Sequence, residues 1–425
     1  MAEPVTETGS NKTNPTQPQA KIPAALVRFL LRIGEAFTFR NFRHVWTAAF
    51  TSAVGTWMQR FAQQWLVFTI TGSAFYLGLD TFIGALPLLL FTLIGGVIAD
   101  RYDRRYLLMG SQAVQMTCAL TLAVLVAMDA IRVHYILMLS FTTGLAQAFG
   151  GPAFQSIIPA LVPRQTLPNA VALNSIQFNL AQAIGPLIGG AVFTTFGMVA
   201  CFGLNSLSFV VVIIVLGLMN LPRPNPTNIQ PLFTEMRGGV AYVRHEGALA
   251  ALTILAMATT SLGLPLRAFL PMFATDAIHL SRMMTVLGAG AVVGALVVAW
   301  LGKFTTMGRT LLVVQIVFGG LVATFALLPV TNFTYVILFL GGTALLIIFS
   351  LTSSLVQLMV PDELRGRVMS IYLVAFRGGM PLGSLVSGYF ISSLASASTV
   401  IAINGALLAL VATYFLIRNH GVRDL

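Results

Sequence analysis

At 425 residues this chain is long enough for two or three soluble domains, yet 57% of it is apolar, only 9% is charged and its mean hydropathy is +0.86. Soluble domains carry about 25% charge, so a water-soluble protein is excluded and a bilayer must be the main solvent. The formal charge of +11 does not mark a nucleic-acid surface, because the basic residues are sorted by side: of 24 Lys and Arg, Arg132 and Arg282 fall on one side of the spans assigned below, Arg60, Arg267 and Arg377 fall inside them, and the rest fall on the other side.

In chain order, residues 1–43 begin with a polar stretch rich in Thr, Pro, Asn and Gln that lacks the apolar run of a signal peptide. From Ile22 to Phe37, Leu26, Phe29, Leu30 and Ile33 alternate with Arg28 and Arg32, which suits an amphipathic helix lying on cytoplasmic headgroups. Spans follow at 44–71, 74–99, 106–128, 133–157, 169–196, 198–220, 247–274, 283–302, 310–330, 333–358, 368–392 and 397–417. Lipid offers no backbone partners, so each must be helical. The count of twelve is even, which puts both termini on one side, and the Arg-rich connections make that side the cytoplasm.

Residues 44–220 are expected as an amino-terminal six-helix bundle and 247–417 as a carboxy-terminal one, with a cytoplasmic tail at 418–425. The cytoplasmic loop 221–246 between them opens on Pro222, Pro224 and Pro226 and continues as a basic amphipathic stretch from Phe233 to Val243. Sliding the chain against itself by 198 residues aligns Ser156 with Ser354, Val162 with Val360, Pro163 with Pro361, Phe178 with Phe376, Gly185 with Gly383, Leu187 with Leu385 and Gly190 with Gly388. The halves therefore read as parallel repeats, an arrangement that places a substrate site at their interface.

Two loops and one helix carry motifs. Between the second and third spans stands Gly96-Val-Ile-Ala-Asp100-Arg101-Tyr-Asp103-Arg104-Arg105-Tyr-Leu-Leu108. The fifth span contains Gly185-Pro186-Leu-Ile-Gly189-Gly190, and the connection before the eleventh reads Val360-Pro361-Asp362-Glu363-Leu-Arg365-Gly366-Arg367. The first resembles the loop signature of the major facilitator superfamily, G-x-L-A-D-R-x-G-R-[KR]-x-x-L, with Ile98 in place of Leu and Asp103 in place of the second Gly. The second resembles the G-P-x-x-G-G antiporter signature of the same superfamily, and the D-R-x-D-R-R form is similar to its twelve-helix drug and siderophore exporters, a branch that includes enterobactin exporters and macrolide efflux pumps.

That resemblance implies an all-α membrane protein with twelve transmembrane helices in two pseudo-symmetric six-helix bundles. It also implies a bacterial inner-membrane location and a secondary-active, proton-coupled exporter of small molecules such as siderophores or drugs, working by alternating access, as a monomer, with the proton gradient in place of a cofactor. Gly96, Asp100, Arg101, Asp103, Arg104 and Arg105 would then gate, since a carboxylate among guanidiniums can hold one packing of the halves and release another. A lipid-type or facilitated transporter of the same fold, such as a lysophospholipid flippase, is the alternative.

Charges inside a bilayer are costly and mark function by default. Arg60, Asp80, Arg267 and Arg377 qualify; Arg60 and Asp80 lie within about 8 Å in depth at 1.5 Å of rise per residue and form the candidate ion pair, with Asp80 as the proton-responsive member. Gln59, Gln63 and Gln64 add a polar face to the first span, Asn174, Gln177 and Asn179 to the fifth, and Ser350, Thr352, Ser353, Ser354 and Gln357 to the tenth. If all four charges face inward the cavity carries about +2, which favours an anionic or amphipathic small molecule over a cation.

Cys118 and Cys201 lie in separate spans and suggest neither a disulfide nor a metal site. His44, His134, His245, His279 and His420 form no metal or triad spacing, so an enzyme is not expected; neither is a channel, which would want a filter or charged ring.

Overall fold

The computed structural model describes residues 34–219, 246–302, 304–329, 331–418 and 421–425. The loop stretch 233–243 and all but the end of the 22–37 stretch lie outside the described residues. Within them the chain forms α1 (Arg40–Thr71), α2 (Ala74–Arg101), α3 (Arg104–Ala127), α4 (Val133–Leu161), α5 (Leu167–Gly217), α6 (Gly247–Ala258), α7 (Pro265–Phe269), α8 (Ala277–Leu301), α9 (Met307–Leu327), α10 (Asn332–Met359), α11 (Asp362–Ser393) and α12 (Ala397–Arg418). Nine of the described helices are long and apolar enough to cross a membrane. The other long ones, α1 and α4, have 32 and 29 residues and are less apolar because they carry the polar lining of the interior.

Helix count and crossing count differ in two places. α5 crosses twice, turning at Gly197, whose φ of 80° and ψ of −179° interrupt the helix; glycine adopts that conformation without a Cβ penalty. The seventh span, expected as one run over 247–274, is broken: α6 passes into a π turn at Thr259–Gly263, then α7 begins at Pro265 and a 3₁₀ turn, Leu270–Met272, ends the crossing. Pro265 lacks the N–H that would continue an α ladder, and π turns inside helices favour sites that move. The result is twelve crossings in two six-helix bundles.

In the first half α1 packs on α5, α2 on α4, and α3 on both α4 and α5; in the second α8 packs on α10, and α9 on α10 and α12. The halves meet along two seams, α2 with α11 and α5 with α8. Lipid supplies no hydrophobic force between helices, so the seams depend on small residues and hydrogen bonds. The 198-residue repeat is built into them. Gly190 sits against Ser281 of α8 and Gly388 against Ala74 of α2, while Gly185 packs on Trp57 of the first span and Gly383 on Ser261 of the seventh. Each repeated glycine thus makes the approach equivalent to that of its counterpart, Gly190 and Gly388 across the seams and Gly185 and Gly383 within their halves.

The bundle has one end carrying Ser73 and another carrying Arg101. Among the described residues, hydrogen bonds cross the seams toward the Ser73 end: Ser392 Oγ accepts from Phe75 N–H at 2.9 Å and lies 3.4 Å from Ser73 Oγ, and Ser281 Oγ donates to Pro186 O at 2.7 Å. At the Arg101 end the last residues fold back under α9, with Val422 buried and Gly308 N–H donating to Leu425 O at 2.8 Å.

A polar cavity between the halves

A cavity of about 440 Å³ lies between the bundles, on the Arg101 side of those contacts. Its first-half wall carries the neutral polar groups, Thr56, Gln59, Gln63 and Gln64 from α1, Gln115 from α3, Ser140, Thr143 and Gln147 from α4 and Asn205 from α5, with Arg60 and Asp80, set among apolar residues such as Leu88, Leu89, Leu122, Leu139 and Phe209. Its second-half wall is Leu264, Phe376, Met380 and Pro381 with a single charge, Arg377. Arg60 and Arg377 are both exposed in it, and the seam hydrogen bonds described above lie on its Ser73 side.

The polar wall follows from helical spacing. Gln59 and Gln63, one turn apart, and Ser140, Thr143, Gly144 and Gln147, at three- and four-residue steps, each form one stripe. Asp80 is held by neutral donors: Gln63 Nε2 reaches its Oδ1 and Oδ2 at 3.1 and 2.9 Å, and Ser140 Oγ donates to Oδ1 at 2.5 Å. Gln63 also reaches Ser140 Oγ at 2.9 Å, so spans 1, 2 and 4 share one carboxyl site.

The expected Arg60–Asp80 ion pair is not formed; the two line one cavity without an N···O contact within 4.0 Å. Arg60 instead sets its guanidinium 4.8 Å from the Trp57 ring centroid, and the residue lines the cavity. Rotation about the helix turns Gln63, not Arg60, onto Asp80. Gln59 Oε1 accepts from Asn205 Nδ2 at 2.6 Å, and Gln147 Nε2 donates to Gln115 Oε1 at 3.2 Å.

Other expected residues stand elsewhere. Asn179 donates to Ser175 O at 2.9 Å, and neither it nor Asn174 nor Gln177 lines the cavity. The span 10 residues do not line it either: Thr352 bonds back to Ile348 O and Gln357 to Ser353. Arg267 is withdrawn from the main cavity into a small apolar one beside Phe318 and Leu338. Arg60 and Arg377 against Asp80 therefore leave about +1 in place of the expected +2.

The loop motif ties the first half together. Asp103, expected as an extra anion among the arginines, caps α3, its Oδ1 accepting from Arg105 N–H at 2.9 Å. Arg104 reaches Ala99 O and Ser156 O at 3.4 and 3.3 Å, and Arg105 bonds Gly217 O, so spans 2, 3, 4 and 6 are joined at the Arg101 end. Arg101 is exposed, and Gly96 stands in open space. The side chains of Asp100, Asp362, Glu363, Arg365 and Arg367 lie outside the described residues. In the fifth-span motif Gly185 and Gly189 receive Trp57, Met58 and Phe61 of α1, while Pro186 and Gly190 face α8.

Sequence reasoning missed Ser140, Thr143, Gln115, Gln147, Asn205 and Gln182. Each is a neutral polar residue inside an apolar span, and the stripe 140, 143, 147 was the available signal.

The chain is 27% identical to the multidrug efflux pump Tap of Mycolicibacterium fortuitum over 377 residues, covering 85% of this chain and 92% of that one. It is 25% identical to the enterobactin exporter EntS of Citrobacter koseri over 369 residues, covering 85% and 87%. Among solved structures, the nucleoside transporter NupG shares the fold with a TM-score of 0.70 at 15% identity, over 89% of this chain and 98% of that one. The family of transmembrane secretion effectors matches residues 35–424, and the chain belongs to it, as a multi-pass transporter of the major facilitator superfamily.

Proposed function

We propose that the protein is a proton-coupled exporter of amphipathic small molecules, working by alternating access from a cytoplasmic-facing state in the bacterial inner membrane. The observation that carries this is the cavity between the halves, which holds one carboxyl in a cage of neutral donors. The arginine-rich end is the cytoplasmic one by the positive-inside rule, and it is the side from which the exporter would load. Both termini lie there. The relatives Tap and EntS, an efflux pump and an exporter by name, agree in direction.

Asp80 is the coupling group. Its partners Gln63 and Ser140 are neutral, so the carboxyl can gain a proton without abandoning an ion pair. Electrostatics then sort the substrate. An anion about 6 Å from Asp80 at an effective dielectric of 20 gains about 3 kcal/mol when that carboxylate is protonated, so anion and proton bind together, which opposes antiport. Antiport needs competition, which a donor group on the substrate supplies by taking the place of Gln63 or Ser140. Acceptor groups on the same molecule fit Arg60 and Arg377, and its apolar face fits Leu264, Phe376 and Met380. Such a molecule is amphipathic and acceptor-rich without a dominant negative charge. Protons and the surrounding lipid are its only other expected partners; no metal, cofactor or second subunit is invoked.

Inverted vesicles with an imposed pH gradient test this. Accumulation of an amphipathic drug linked to proton efflux is the expected result. Gradient-independent movement of lysolipid would favour the facilitated, lipid-type alternative, for which the arginines would bind phosphate.

A further inference from the structure

We infer that Gln182 and Arg267 form the latch that holds the two halves together at the ceiling of the cavity, and that it must break whenever the Ser73 end opens. This rests on the alternating-access reading above. Gln182, on α5, and Arg267, on α7, come from opposite halves. With its amide oxygen toward the guanidinium, Gln182 Oε1 accepts from Arg267 Nη1 at 3.0 Å and Nη2 at 2.7 Å. A forked bond to a cation is about twice as strong as a neutral one and fixes direction as well.

Three features make it a latch and not general packing. Gln182 is only 7% exposed, and the Arg267 Nε is buried with no partner, so this cation depends on Gln182 for what compensation the protein gives it. The seam beside it is flush: a Cβ on Gly288 of α8 would come within 2.7 Å of Ala183 Cα and 2.8 Å of Gln182 O, so there is no slack through which the halves could part while the bond persists. Finally, Arg267 stands just after the π turn and Pro265, on a segment whose helix is already interrupted and can re-aim it. Leu264, one turn earlier on that segment, lines the main cavity, which gives an occupant a route to the latch. The α2–α11 seam closes differently, with serines and a backbone N–H at Ser73, Phe75 and Ser392 and no charge.

The test uses the full-length protein in proteoliposomes with Cys118 and Cys201 replaced by alanine. Spin labels go on Phe196→Cys and Ile278→Cys, exposed positions on either side of the α5–α8 seam at the Ser73 end, and distances are measured without substrate. Gln182→Leu is expected to add a longer-distance population, raising the ratio of open to closed molecules about tenfold. Gln182→Glu, which converts the bond to an ion pair, is expected to suppress that population and slow transport about tenfold. A wild-type distribution in Gln182→Leu, or a lengthening in Gln182→Glu, would overturn the proposal. Should Gln182→Leu not insert, Arg267→Gln carries the test: a smaller lengthening is expected, and an unchanged distribution overturns the latch. Because this readout needs no substrate, lengthening in a protein that moves nothing supports the latch while counting against the export reading.

Discussion

The two halves share a repeat and a packing scheme, and both face the cavity with apolar side chains and a cation, yet its carboxylate and neutral polar groups come from the first half. The first half supplies Gln59, Gln63, Gln64, Ser140, Gln147 and Asp80; the second supplies Leu264, Phe376, Met380, Pro381 and one cation, Arg377. Backbone symmetry came from seam glycines such as Gly190 and Gly388, which both halves kept. Under the proposed mechanism the difference would be a division of labour, with proton chemistry in the first half and an anchor for acceptors in the second.

The variant with the largest expected effect tests that division directly. Asp80→Asn should reduce gradient-driven export at least about 100-fold with insertion intact, because the amide mimics a permanently protonated carboxyl. Normal gradient dependence in inverted vesicles would move the proton role out of the first half. Next, Gln63→Leu removes the donor to both carboxylate oxygens and to Ser140, and should slow transport of every substrate about tenfold with little change in the half-saturating concentration. Equal slowing by Phe376→Ala would erase the distinction between the walls.

Phe376→Ala should instead raise the half-saturating concentration about tenfold for bulky apolar substrates and leave coupling alone, since one lost apolar contact is worth about 1–3 kcal/mol. Competition assays with large and small drugs read this. The smallest expected effect lies away from both walls, at Asp276, which caps α8. Its carboxylate accepts from the His279 N–H at 2.7 Å, and that bond holds it below the usual carboxylate range. A lowered folded value means that the stabilisation is complete above about pH 4 and fades as pH falls further, through the folded value. Asp276→Ala should therefore cost less than about 1 kcal/mol at neutral pH, with the deficit vanishing in acid, as thermal unfolding in detergent would show.

Much of this was legible in the chain itself. Twelve apolar runs, the sorting of Arg and Lys, and the glycines at one offset needed no coordinates, because bilayer thickness, backbone satisfaction and close helix approach act on sequence position alone. The members of the site were half legible: Arg60, Asp80, Arg377 and the three glutamines of α1 stood out as costly residues in lipid, and all of them line the cavity. Asn179 and Arg267 stood out equally and do not.

What the sequence by itself determined was which residues fall in which span, since bilayer thickness sets the length of each apolar run and charges are expensive within it. What only the tertiary structure decided was azimuth: that Gln63 and Ser140, not Arg60, hold Asp80, that Asp103 turns inward to cap α3, and that Arg267 reaches across to Gln182. Rotation of a helix about its axis is set by the small residues of its neighbours, so the partner of each polar side chain is fixed only when the helices have packed.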